Sequence, residues 1–296
     1  MSKVLLNTTN HSRDSTGMRY VYPVLSRRAG GISIGINLNP NNACNWQCIY
    51  CQVPNLTRGG PPPIDLDLLS NELNALLHAI AQGQLTLSPT TMSPQSALKS
   101  TETSIQPGIT ELRDIAFSGN GEPTSAIEFP VAVSLVHRIL RNHGLENQTM
   151  LRLITNGSLL DRKEVQEGIA LIGQATGEVW FKVDRASPTA LLEINGVHLA
   201  PQTVSRRLAH CAKLAPTWVQ TCLFTLDNSP PNENEIEQYL NLLKPIATQL
   251  KGVHLYSLAR PSLQQAAYRL ASLDQFQLDQ IAQRIRQLGL LCTVSP

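Results

Sequence analysis

Six short apolar, β-branched runs recur along the chain with helical patterns between them, and this alternation limits the fold more than any other feature. The runs are I-S-I-G-I-N-L at 32–38, D-I-A-F-S-G from Asp114, M-L-R-L-I-T-N-G from Met150, V-W-F-K-V-D from Val179, V-Q-T-C-L-F-T-L from Val219 and V-H-L-Y-S-L from Val253. Continuous apolar runs of this length read as strands buried on both faces, the condition of a parallel sheet. Between them Leu66, Leu69, Leu73, Leu76 and Ile80 repeat at helical spacing, as do Ile236, Leu240, Leu243, Ile246 and Leu250. Two more helices are predicted to open at Pro130 and Pro201, since proline suits a first turn, and Gly144 supplies the stop for the former. Strands alternating with helices imply right-handed βαβ units. Six repeats favour an α/β partial (βα)6 barrel, one domain over residues 1–296 with its core at about 30–265.

The chain has 296 residues, 42% of them hydrophobic, enough to bury a full core, which excludes disorder of the whole. A formal net charge of +2 gives no strong global field toward nucleic acid or an anionic membrane. No run approaches the roughly 18 apolar residues that span a bilayer, and the opening M-S-K-V-L-L-N-T-T-N is too short for a secretory signal. The expectation is a cytoplasmic protein without a membrane partner. Residues 84–108 are rich in Ser, Thr, Pro and Gln and read as a flexible surface insertion. A last helix over 273–288, with Leu278, Ile281, Ile285 and Leu288 on one face, precedes a short apolar end at 290–294.

Six cysteines are too few for a disulfide scaffold in a chain this long, and three of them crowd into eight positions. The run C-N-W-Q-C-I-Y-C sets Cys44, Cys48 and Cys51 at C-x3-C-x2-C directly after the first strand. Three thiolates on one tight loop can hold three irons of a cubane and leave the fourth open to a small molecule. Structural zinc would need a fourth ligand, and no second cysteine pair follows; the next cysteine is Cys211, in a helical stretch. A zinc-ordered or nucleic-acid-binding module stands as the non-enzymatic alternative. Cys211, Cys222 and Cys292, in a helix, a strand and a terminal strand, read as small hydrophobes.

With an aromatic, Tyr50, just before its third cysteine, this run resembles the radical S-adenosylmethionine (SAM) superfamily, whose pattern is C-x3-C-x-Φ-C. The resemblance implies a [4Fe-4S] cluster on Cys44, Cys48 and Cys51, with SAM chelating the open iron. It further implies reductive cleavage of SAM to a 5′-deoxyadenosyl radical that abstracts hydrogen from a substrate, and an electron donor such as a flavodoxin or ferredoxin.

The second strand ends in S-G-N-G-E-P-T. Glycines there let backbone approach a ligand, and Glu122 can accept from an ammonium group, although such a turn alone is a weak signal. In the same superfamily a G-G-E motif at this place binds the amino group of SAM, which the resemblance carries onto Gly119, Asn120, Gly121 and Glu122. The third strand ends in T-N-G with Asn156, and Lys182 and Asp184 on the fourth lie two apart, so they share a face. Strand carboxyl ends build sites in α/β folds, which makes these three candidates for SAM carboxylate and ribose contacts. A lysine in an apolar run also requires an anionic neighbour. Arg260, in Y-S-L-A-R-P, and Arg27 with Arg28 are candidate anion contacts.

The stretch 22–59, together with F-S-G-N-G-E-P-T and Y-S-L-A-R-P, resembles the Fe-S oxidoreductase group that includes the wyosine-forming tRNA enzymes. That resemblance offers tRNA as a substrate. Residues 1–43 contain no cysteine, so the second cluster those enzymes hold upstream has no ligands here.

Overall fold

The computed structural model describes residues 4–6, 17–26, 31–87 and 112–295. In chain order its main elements are β1 (Val4–Leu6), β2 (Val21–Ser26), β3 (Gly31–Ile36), β4 (Ala43–Cys44), β5 (Thr57–Arg58), α1 (Leu66–Ala81), β6 (Leu85–Leu87) and β7 (Leu112–Phe117). There follow α2 (Phe129–Asn142), β8 (Met150–Thr155), α3 (Lys163–Gln174), β9 (Gly177–Lys182), α4 (Pro188–Asn195), α5 (Pro201–Leu214), β10 (Thr217–Cys222) and β11 (Phe224–Leu226). Then come α6 (Glu233–Leu243), β12 (Gly252–Tyr256), β13 (Leu270–Ser272), α7 (Gln275–Gln287) and β14 (Cys292–Ser295).

All six expected runs enter one eight-stranded sheet of order β14-β12-β10-β9-β8-β7-β3-β2, but the run from Val219 breaks after Cys222 and its end, β11, pairs antiparallel with β13 in a separate sheet. Neighbours in the eight-stranded sheet run parallel except β2, which pairs antiparallel with β3. The end strands β2 and β14 do not pair, so the sheet is an open, partial barrel. Ile32, Ile34 and Ile36 of β3 are fully buried, as are Leu69, Leu73 and Ile80 of α1, and both join one continuous core. Burial of such side chains contributes roughly 1.5–3 kcal/mol each.

Local chemistry explains where the helices begin and end. Asp65 caps α1 by accepting from the Leu68 N–H, and Gly144 follows α2 in the left-handed conformation, φ +67°. The single helix expected across Ile236 to Leu250 instead ends at Leu243 and continues as a 3₁₀ turn, Lys244–Gln249. Pro245 has no N–H to continue the α ladder. The stretch read as insertion begins with a strand: Leu85–Leu87 pairs parallel with Val4–Leu6, and residues 88–108 lie outside the described residues. Two helices went unforeseen. In α3, Gly168 and Gly173 interrupt the pattern, because α2 and α5 pack close: a Cβ on Gly168 would lie 2.4 Å from the Phe129 ring. In α4 eight residues are too few for periodicity, although Ser187, Pro188 and the left-handed Gly196 mark its ends.

A polar row crosses the sheet toward its amino-terminal side. Arg152 of β8 pairs with Asp114 of β7 and, at 2.8 Å, with Glu178 of β9; its guanidinium stands 4.2 Å from the Trp180 ring centroid. The Ser33 hydroxyl donates to the other oxygen of Asp114. Removing one partner of a buried pair leaves an uncompensated charge. Arg152→Ala, which strands two carboxylates, is expected to lose about 3–5 kcal/mol of stability, read as a lower urea midpoint at unchanged slope.

Candidate active site

The cysteine loop follows β3 and is held on two sides by main-chain bonds. On one, the Gln47 and Ile49 N–H groups donate to the carbonyls of Asn195 (3.0 Å) and Ile194 (2.9 Å) at the end of α4. On the other, Leu263 N–H and the Gln264 side chain donate to the Cys51 carbonyl, and the Ser262 hydroxyl donates to that of Ile49 at 2.7 Å. Beneath the loop Tyr50, Ile194, Cys222 and Phe224 form a small apolar cluster of their own.

A cavity of about 280 Å³ opens at the carboxyl ends of β3, β7, β8 and β9. Cys44, Cys48 and Cys51 line it together with Gly119, Asn120, Gly121, Glu122, Asn156 and Lys182. The fold therefore collects the three cysteines and every residue picked for SAM contact except Asp184, while Arg260 does not line the cavity. Tyr22, Trp46, Ser118 and Ile154 complete much of the wall and were not picked. Tyr22 arrives from β2, and its hydroxyl lies 3.0 Å from that of Ser118.

Burial pushes the Cys44 thiol up to about 11, against the Trp46 N–H that faces its sulfur at 3.5 Å. Burial likewise pushes Cys48 up to about 12, opposed by the Lys182 ammonium and by the Asn195 amide, whose Nδ2 lies 3.2 Å from the Cys48 Sγ. Metal binding at such thiols must displace protons. No three Cys, His, Asp or Glu side chains among the described residues close on one point as ligands of a single ion do.

The glycine turn after β7 lines the cavity and also packs tightly against the protein. A Cβ on Gly121 would meet the Ala43 carbonyl at 2.1 Å, and one on Gly119 would meet Asn37 Oδ1 at 2.4 Å. These glycines let the turn seat against the segment that leads into the cysteine loop. Asn120 adds to that seam: its N–H donates to Asn37 Oδ1 (3.0 Å) and its amide to Asn42, while its own Oδ1 is buried without a protein partner. Glu122, expected to accept from a ligand ammonium, accepts four hydrogen bonds from protein groups. Oε1 takes the Thr124 N–H (3.2 Å) and the hydroxyls of Thr124 and Thr155 (2.6 Å each); Oε2 takes the Asn156 N–H at 2.7 Å. Burial raises its pKa, and these donors oppose that shift. Asn156 donates to Asn45, between the first two cysteines, at 2.9 Å.

Lys182 and Asp184 do share a face, and both meet Tyr50. The Lys182 Nζ lies 4.9 Å from the Tyr50 ring centroid, and the Tyr50 hydroxyl donates to Asp184 Oδ2. Burial, the largest single influence, works against the Lys182 ammonium, but Asp184 together with Tyr256, Cys48 and Cys222 outweighs it and holds the lysine above its ordinary value. Asp184 itself does not line the cavity: only 2% exposed, it accepts from Tyr50, the Asn195 amide (3.1 Å) and the Cys222 N–H (3.0 Å). Arg260 is partly buried and presents its carbonyl to the Gln52 amide. Arg27 and Arg28 lie outside the described residues. Cys211 and Cys222 are buried, as small hydrophobes should be, and Cys292 is partly exposed.

No family model matches the chain. The UPF0026 protein MJ1312 of Methanocaldococcus jannaschii is 29% identical over 177 residues, which is 60% of this chain and 43% of that protein. The chain thus matches less than half the length of this curated relative. Among solved structures, a radical SAM methyltransferase from Sphaerobacter thermophilus superposes with a TM-score of 0.57 at 13% identity, over 93% of this chain and 68% of that one. A domain of pyruvate-formate lyase-activating enzyme from Bacteroides vulgatus gives a TM-score of 0.43 at 12% identity, over 62% of this chain and 99% of the domain. The fold is a mixed α/β partial barrel similar to that of the radical SAM methyltransferase. No helix among the described residues is long and apolar enough to cross a membrane.

Replacing Glu122 with Gln sets an amide N–H₂ against groups that are themselves donors. Glu122→Gln is expected to cost about 1–3 kcal/mol, seen as a lower thermal midpoint of the metal-free protein.

Proposed function

We propose that this chain is a radical SAM enzyme whose Cys44, Cys48 and Cys51 hold three irons of a [4Fe-4S] cluster, leaving the fourth iron to bind SAM. The observation that carries the reading is the meeting, in one cavity at the strand carboxyl ends, of three loop thiols with the turn Gly119, Asn120, Gly121 and Glu122. The donor set suits thiolate ligands: the Cys44 sulfur faces a main-chain N–H and the Cys48 sulfur a side-chain amide. When bound, the cluster and SAM supply one-electron cleavage of a carbon–sulfur bond and a carbon radical that takes hydrogen from a substrate.

The protein's own groups then have separable tasks. Tyr50 and Asp184 fix the loop so that its three sulfurs face the cavity. The buried Asn120 Oδ1, an acceptor without a protein partner, offers a ligand ammonium a place beside the turn that Glu122 braces. Lys182 adds positive charge on the wall for a carboxylate, and Asn156 ties that wall to the loop. Trp46, Val53, Leu56 and Ile154 supply apolar lining, which keeps water from a reactive radical.

The test is anaerobic reconstitution with iron and sulfide, reduction, and addition of SAM, followed by EPR spectroscopy and an assay for 5′-deoxyadenosine. The expected result is a SAM-dependent change in the cluster signal with 5′-deoxyadenosine formed, both lost in Cys48→Ala. Bound zinc, or a cluster indifferent to SAM, would sink the proposal and favour the metal-ordered module.

A further inference from the structure

We infer that Asn195 is a positioning residue for Cys48, setting the reduction potential of the cluster through an N–H···S hydrogen bond. The inference rests on the reading of Cys48 as an iron ligand. Asn195 is the last residue of α4, is fully buried, and precedes the left-handed Gly196, φ +69°. Its main-chain carbonyl accepts from Gln47, so backbone and side chain of one residue grip two adjacent positions of the cysteine loop, Gln47 and Cys48.

The two hydrogens of its amide have two targets, Cys48 Sγ at 3.2 Å and Asp184 Oδ2 at 3.1 Å. In the same arrangement the amide oxygen is buried with no partner. The opposite orientation would turn that oxygen toward a carboxylate and a sulfur, both acceptors, so the neighbours fix which way the amide faces. An unpaired buried carbonyl costs free energy. A neutral thiol, a weak acceptor, returns little for it, whereas an iron-bound thiolate is a strong one. The geometry therefore suits the ligated state of Cys48.

Hydrogen bonds to ligand sulfurs stabilise the reduced, more negative cluster and raise its potential. Cys44 draws its donor from the main chain at Trp46, which no substitution short of proline removes. Cys48 draws its donor from a side chain, so its share can be deleted.

The experiment is an EPR-monitored redox titration of full-length protein, reconstituted anaerobically, comparing the native chain with Asn195→Leu and Asn195→Ser. Iron and sulfide content and circular dichroism accompany each titration. The expected result is a midpoint potential displaced to more negative values in both variants at full iron content. Should the leucine variant fail to fold, the serine variant is read by the same criterion. An unchanged potential at full iron content overturns the inference. So does loss of iron from both variants, which would make Asn195 a requirement of the loop's structure and not a tuner of its potential. A native chain that assembles no cluster is a different result: it defeats the radical SAM reading, and this inference falls with it.

Discussion

The buried carboxylate of Asp184 is the interaction on which the site depends. It receives the Tyr50 hydroxyl from the cysteine loop, the Asn195 amide from α4 and the Cys222 N–H from the end of β10. A carboxylate this deep is tolerable only when its lone pairs are satisfied and a countercharge is near. Lys182 supplies the charge, and the three donors supply the bonds. Because none can leave without stranding the carboxylate, four separate elements are held in one fixed relation. The cysteines inherit that relation, since Tyr50 lies directly before Cys51 and Asn195 reaches Cys48.

The sheet was legible in the sequence because each central strand of a parallel sheet is buried on both faces and so writes itself as an uninterrupted apolar run. The cysteine loop was legible because its three cysteines are close in the chain. What escaped notice is long-range and polar. Nothing local in I-N-G announces that Asn195 will meet a cysteine 147 positions away, and nothing in V-Y-P-V announces that Tyr22 will wall the cavity. Such contacts have no periodicity; they exist only once the strand order is known. The antiparallel β2 was missed because Pro23 interrupts its run, a residue that an edge strand tolerates.

The glycines of the turn after β7 have a packing role that the sequence did not announce. Gly119 and Gly121 drew attention as places where backbone could approach a ligand, yet their hydrogens face Asn37, Asn39 and Ala43. The turn and the segment before Cys44 are packed as two halves of one surface. The glycines thereby help to fix where the first cysteine sits, and Glu122 clamps the turn to the end of β8.

The main-chain bonds that tie the cysteine loop to α4 and to residues 262–264 involve no metal. A loop braced by helix carbonyls and by serine and glutamine side chains has already surrendered its conformational entropy when the chain folds. The free energy of loading the site is then not drained by ordering a coil, as it is in small domains that exist only around their ion. Under the proposed reading, folding and the loading of this loop are separate events, the receptacle being built before its cargo arrives.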